Sequence, residues 1–225
     1  MNVVFLGQEY SDDQIETLLR EKNVNSRRLS RRELLEETSR LIAGQKVVGW
    51  FQGRMEFGPR ALGNRSIIAD ARNPKNQSVV NLRIKFRESF RPFAPAVLEE
   101  RMPEYFDFDR PAPVMLFVAS VRPDKRVIPA VTRLDGSARL QTISREQNAL
   151  FYDLISEFDF QTDCPIIITT SFNVRGEPIV RTPREALRCF MSTEMDCLVM
   201  GSFIIDKKDL GAYREELLEE EFELD

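Results

Sequence analysis

The chain has 225 residues, 42% of them hydrophobic, and a formal net charge of −4. It contains no histidine, which removes the commonest general base and the commonest transition-metal ligand. No apolar run approaches the ~18 residues that a membrane-spanning helix needs, and the first residues lack the basic region and long apolar core of a secretory signal, so a cytoplasmic address is expected.

Val3–Leu6 reads as a short strand, and Ser11 caps a helix running to about Glu21. Ser30 and Glu33 form a capping box, in which the hydroxyl and the carboxylate each satisfy a free amide at a helix start. That helix ends near Gly44, and Lys46–Phe51 follows as a buried strand. Ser66–Ala69 is a further short strand. Asn73-Pro74 opens a helix that runs to about Phe86. Pro92, Pro95, Pro103, Pro111 and Pro113 mark loops and short pieces, and Val114–Val121 and Val127–Val131 are predicted to pair as strands. Glu146–Phe158 is a helix, Pro165–Thr170 a β-branched buried strand, and Thr182 and Glu185 cap one more helix. Cys197–Ile205 is the last strand.

Strands and helices alternate, which favours α/β layers. The pair at 114–131 argues for a mixed sheet. A single domain over 1–225 is expected, with a lead-in at 1–45, a core at 46–205 and an acidic tail at 206–225. Cys164, Cys189 and Cys197 are odd in number and too widely spaced for a zinc motif, so they read as reduced and buried. No metal-ligand set stands out.

Four clusters carry chemistry. The first is Gly53-Arg54-Met55-Glu56-Phe57-Gly58-Pro59-Arg60-Ala61-Leu62-Gly63-Asn64-Arg65-Ser66. Arginine presents a fork of donors that matches phosphate or carboxylate oxygens, and glycine lets backbone amides come close to a ligand. The second is Lys85-Phe86-Arg87 with Arg91. Lys85 and Arg87, two residues apart, cannot share one helical face, so the helix must end there for both to reach a ligand. The third is Ser171-Phe172-Asn173 with Arg175, in the loop after a buried strand, where open α/β sheets place ligands. The fourth is Asp135-Gly136 with Arg139. Glu56 and Glu88 can neutralise neighbouring arginines, and Phe57, Phe86, Phe90 and Phe93 are expected in the core. The basic middle of an acidic chain suggests a focused anion site rather than a nucleic-acid coat.

These residues resemble the C-terminal domain of the NodU/CmcH-type O-carbamoyltransferases. The resemblance rests on the 53–66 segment, on Phe90-Arg91-Pro92-Phe93-Ala94-Pro95, and on Thr170–Asn173 with Gly176-Glu177-Pro178-Ile179, and it spans about Val3 to Ile205. It implies a YrdC-like fold, a twisted mixed sheet flanked by helices. The Lys-x-Arg and Ser-x-Asn signatures of that fold fall on Lys85, Arg87, Ser171 and Asn173, which the resemblance makes the catalytic set. Arg54, Arg60, Arg65, Arg91, Arg139 and Arg175 are candidates for substrate or nucleotide binding.

The implied chemistry is formation of carbamoyl-adenylate from carbamoyl phosphate and ATP with Mg²⁺. Transfer to an acceptor hydroxyl is then completed by a separate actin-like, metal-binding domain or subunit, which this chain does not contain. Arg133 stands where the family usually has histidine, and Thr169 where it usually has asparagine. Those departures keep a second reading open, a YrdC-like module that holds a nucleotide or a partner without turnover.

Overall fold

The computed structural model describes residues 4–210; the predicted tail lies outside them beyond Leu210. Eleven strands and six helices are present among the described residues. The strands are β1 (Arg27–Arg28), β2 (Val48–Phe51), β3 (Arg65–Asp70), β4 (Ala94–Leu98), β5 (Phe106–Asp107), β6 (Val118–Val121), β7 (Ser137–Arg139), β8 (Gln141–Ile143), β9 (Ile166–Ser171), β10 (Cys197–Met200) and β11 (Phe203–Asp206). The helices are α1 (Asp12–Glu21), α2 (Arg31–Ala43), α3 (Lys75–Arg83), α4 (Met102–Tyr105), α5 (Ala149–Thr162) and α6 (Pro183–Met191).

An eight-stranded sheet runs in the order β1-β11-β10-β2-β3-β9-β4-β8, and β5-β6-β7 form a smaller sheet. The large sheet is mixed because β10 lies parallel to β2, and β4 to β8, while its other neighbours are antiparallel. Strands β2, β3 and β4 are buried at every residue; β2 and β4 are apolar throughout, whereas β3 starts on Arg65-Ser66 and ends on Asp70. Helices α2 and α5 pack on each other and reach β3, β4 and β9, while α6 packs on β2 and β10. The predicted capping box at Ser30 holds, with Ser30 Oγ accepting from the Glu33 amide and the Glu33 carboxylate from the Ser30 amide; at Thr182 only half of it forms, since Thr182 accepts from the Glu185 amide but the Glu185 carboxylate accepts from the Arg181 amide instead.

Several expectations change. Residues 4–6 form no strand; they run beside the glycine-arginine segment, with Val4 accepting from the Phe57 amide at 2.6 Å. Only Val118–Val121 of the predicted 114–121 strand is extended, and Pro129–Val131 is a 3-10 turn. Pro111, Pro113, Pro123 and Pro129 remove ladder donors, so β6 pairs with β5 and β7 instead. Cys197–Ile205 is two strands, because Gly201 at φ +52° turns the chain into a hairpin. The helix predicted over 146–158 starts later, where Asn148 accepts from the Phe151 amide, and runs on to Thr162. Phe57, Phe86 and Phe90 are 76%, 51% and 77% exposed, so of the four phenylalanines only Phe93 joins the interior.

The glycine-arginine segment is a scaffold before it is a site. Glu56 is buried, and its Oε1 accepts from the amides of Leu62 (2.7 Å), Asn64 (2.7 Å) and Arg65 (3.1 Å). Arg65 is fully buried. It donates to the carbonyls of Gln52 (2.5 Å), Asn64 (3.0 Å), Gln8 (3.1 Å) and Gly53 (3.1 Å), and its guanidinium lies 3.7 Å from the Phe51 ring centroid. Arg65 therefore points into the protein, and its ligand is the backbone of its own segment.

Gly63 sits at φ +113° against the Phe151 ring. A Cβ there would stand 2.5 Å from Phe151 Cδ1. Gly63→Ala is expected to cost about 3 kcal/mol through combined backbone strain and overpacking. Denaturant unfolding measures it, and a loss below about 1 kcal/mol would show that the ring gives way freely.

Candidate active site

Helix α3 stops at Arg83, and Phe86 takes φ +46°. A left-handed residue between Lys85 and Arg87 bends the chain so that both side chains turn toward the end of β9. The geometric obstacle to two inward cations at a spacing of two is removed by this one backbone conformation.

Lys85 is buried and donates through Nζ to the Ser171 carbonyl, to the Asn173 carbonyl at 2.8 Å and to Asn173 Oδ1 at 2.6 Å, with Ser171 Oγ at 3.3 Å. The Ser171 hydroxyl in turn donates to Asn173 Oδ1 at 2.8 Å, and Asn173 Nδ2 donates to the Glu177 carbonyl at 2.8 Å. The two halves of the sequence signature, some ninety positions apart, thus form one hydrogen-bonded knot. No carboxylate pairs with Lys85 among the described residues. Burial therefore pulls its ammonium down from 10.5 to about 7, with Cys189 opposing the shift and Arg87 adding to it.

Beside the knot lies a cleft of about 210 Å³ lined by Arg60, Arg87, Arg139, Thr169, Thr170 and Ser171, with Phe93 and Met115 on its apolar wall. No carboxylate lines it. Arg87 donates through Nε to Asn81 Oδ1 at 2.6 Å, and its guanidinium lies 5.1 Å from the Phe93 ring centroid. Its pKa is lowered, first by burial and then by Arg91. Arg139 extends from β7, and its pKa too is lowered by burial and by the neighbouring Arg60 and Arg133. The Nε of Arg139 is buried and has no hydrogen-bond partner. An unsatisfied buried donor on a cation is costly unless a ligand completes it.

The other candidates lie elsewhere. Arg54 is exposed and donates to the Leu6 carbonyl at 3.3 Å. Arg91 is exposed, 3.5 Å from Glu88, and Arg175 is exposed in the loop after Asn173. None of these three lines the cleft, and Arg65 is inside the scaffold. Thr169, where the family usually has asparagine, is buried with its Oγ1 3.5 Å from Ser66 Oγ. Arg133 acts on the cleft only through its charge beside Arg139. Met115 had no sequence signal: an ordinary apolar residue in a proline-rich loop, it holds φ +57° on the cleft wall.

Residues 39–207 match the family described as Carbamoyltransferase C-terminus. An uncharacterized Synechocystis protein, sll1178, is 47% identical over 98% of this chain and 40% of its own length. Nodulation protein NolO of Bradyrhizobium diazoefficiens is 48% identical over 74% of this chain and 31% of its own, and nodulation protein U of Rhizobium tropici 46% over 62% and 24%. The chain thus spans at most two fifths of these relatives. Among solved structures, full-length HypF in a phosphate- and nucleotide-bound form aligns with a TM-score of 0.53 at 18% identity, over 76% of this chain and 25% of that one. P. abyssi Sua5 complexed with L-threonine aligns with a TM-score of 0.55 at 13% identity, over 78% and 48%. At such identities the likeness establishes the fold, which is YrdC-like. By its sequence match and its architecture, this chain belongs to the carbamoyltransferase C-terminus family.

Proposed function

We propose that the cleft binds carbamoyl phosphate and ATP and forms carbamoyl-adenylate, as one half of an O-carbamoyltransferase working in the cytoplasm. One observation carries this reading: three arginines converge on a carboxylate-free cleft beside the Lys85–Ser171–Asn173 knot, and one of them keeps a buried N–H without a partner. Such a lining favours a dense, multiply charged anion, and forked guanidinium donors suit phosphate oxygens.

The chemistry needs no histidine. Carbamoyl phosphate loses phosphate to water and leaves carbamate, already an anion. A carbamate oxygen attacks the α-phosphorus of ATP, the bond from that phosphorus to its bridging oxygen breaks, and pyrophosphate leaves. Fixed cations stabilise the charge that builds on the phosphoryl oxygens. Arg60, Arg87 and Arg139 are placed for those oxygens, and the Ser171 hydroxyl for the carbamoyl or phosphoryl oxygens. The described residues contain no cluster of three or more acidic or cysteine side chains that could hold a metal. Mg²⁺ would therefore travel on the nucleotide phosphates, where it neutralises charge. Transfer to an acceptor hydroxyl is assigned to a separate actin-like domain or subunit, in keeping with the greater length of the relatives.

A second reading is a module that holds a nucleotide without turnover. It is favoured by Lys85, whose hydrogen bonds all go to protein oxygens.

Pyrophosphate release from ATP, Mg²⁺ and carbamoyl phosphate, with and without a candidate partner subunit, separates the two. Release supports adenylation; ATP binding with no release in either mixture supports the passive module. Arg139→Ala is expected to weaken ATP binding about 10- to 100-fold, the equivalent of about 1.5–3 kcal/mol for one charge-assisted contact. Its circular dichroism spectrum should stay unchanged, because the buried Nε holds nothing in the free protein. Unaltered ATP affinity would remove Arg139 from the site.

Lys85 gives a pH test. Between pH 7 and 10.5 the unfolded chain keeps the proton and the folded chain does not, so stability rises with pH across that window. Lys85→Met should flatten the rise. A polyanion in the cleft restores the ammonium, so ATP binding at pH 8 should take up protons and weaken as pH rises. Calorimetry in Tris and in HEPES should give different apparent enthalpies; equal enthalpies would uncouple Lys85 from the ligand.

A further inference from the structure

Asn81 stands in the last turn of α3, and its side chain is fully buried. A carboxamide is a weak helix former and is costly inside a protein unless its polar atoms are bonded. Here both polar atoms are bonded, and to the segment that carries Arg87. Oδ1 accepts from Arg87 Nε at 2.6 Å. Nδ2 donates to the carbonyls of Ser89 at 3.0 Å and Arg91 at 2.9 Å. The Asn81 carbonyl accepts from the Arg87 amide at 3.0 Å. The opposite setting of the side-chain amide would turn its donors on the guanidinium and its oxygen on two carbonyls, so the pattern fixes the orientation. Gln77, one turn earlier, strengthens the clamp by donating to the Phe90 and Arg91 carbonyls, each at 3.2 Å.

We infer that Asn81 is a positioning residue, which aims Arg87 into the cleft without neutralising it. The guanidinium is held by Asn81 Oδ1 and by the Phe93 ring, whose centroid lies 5.1 Å away. Among the described residues neither terminal nitrogen of Arg87 has a protein hydrogen-bond partner, and Arg87 lines the cleft. The forked end is therefore left for a ligand. Other arginines of this chain are held through Nε by carboxylates. Arg72 Nε lies 3.0 Å from Asp70 and Arg101 Nε 2.6 Å from Glu104. Those pairs raise the guanidinium pKa, whereas that of Arg87 is lowered, first by burial. A carboxylate at position 81 would hold Arg87 as firmly and cancel the charge that an anion is to meet. The carboxamide supplies the acceptor alone. The consequence for ATP rests on the proposed reading of the cleft; the hold on Arg87 does not.

The Arg87 Nε–H signal in heteronuclear NMR, assigned by its loss in Arg87→Lys, reads this hold without any ligand. In the wild-type protein its proton is expected to exchange with water at least about 10-fold more slowly than that of the exposed Arg175, because the hydrogen bond must open first. Equally fast exchange overturns the inference, with no variant needed. Asn81→Ala is expected to speed the exchange and to weaken ATP binding about 10-fold. In an Arg87→Ala background the same substitution should change ATP affinity by less than about 2-fold, because Asn81 acts through Arg87. Equal losses in both backgrounds would mark a merely structural residue and overturn the inference. Asn81→Asp keeps the shape and the acceptor, so it should leave the Nε–H protected and still weaken ATP binding; wild-type affinity in that variant would overturn the need for a neutral group. Failure of the wild-type protein to bind ATP sinks the anion reading of the cleft, and the ligand-free exchange still decides the hold on Arg87.

Discussion

The buried guanidinium of Arg65 holds the rest of the site in place. A cation with no exposed surface is costly unless most of its donors are satisfied, and in Arg65 both terminal nitrogens are, while Nε has no partner. Here four backbone carbonyls and the face of Phe51 surround it, and burial still draws its pKa down to about 10 against the opposing charge of Glu56. Glu56 in turn collects three amides from the far limb of the same segment. The two side chains pin opposite ends of one loop between β2 and β3. That leaves the middle of the loop, with Arg60, standing at the cleft. Remove either and the loop loses its reason to present that arginine.

Two buried cations in one small domain serve opposite ends. Arg65 is fully buried, with both terminal nitrogens on backbone carbonyls. Lys85 is held by four oxygens but faces no carboxylate, and its charge is held only up to about pH 7. The difference between them follows from side-chain chemistry. A guanidinium stays charged under nearly all conditions and suits a permanent structural fork, whereas an ammonium gives up its proton when buried. The residue whose charge can be withdrawn is the one placed beside the site.

Much of this was legible in the sequence. The helix N-caps at Ser30 and Thr182 and the β-branched run at 165–170 report local physics, which the chain carries in its own neighbourhood. The convergence of Lys85 with Ser171 and Asn173 was legible only through resemblance, since nothing local joins positions so far apart. The functions of the three arginines in the 53–66 segment were not legible. Arg54, Arg60 and Arg65 are alike as residue types, and only burial separates a loop staple from a cleft donor. The exposed phenylalanines failed for the same reason: composition places Phe57, Phe86 and Phe90 inside, but Phe86 must adopt φ +46° to aim its neighbours, and its ring is carried outward. The short strands β5, β7 and β8 were missed because two or three residues hold no periodicity to read.

The cleft itself is a place where folding and binding pull apart. Arg60, Arg87 and Arg139 repel one another, and burial lowers the pKa of the last two. A carboxylate among them would relieve that repulsion and stabilise the free protein. It would also fill the site with the charge that an anionic ligand must bring. Glu88 lies close enough to act on Arg87 through space, yet it is exposed and outside the lining. The unpaired Nε of Arg139 has the same meaning on the scale of one hydrogen bond. Arg65 Nε and Glu56 Oε2 are also buried without a partner, but Arg139 lines an open cleft, where on the anion-binding reading proposed above a ligand completes the deficit.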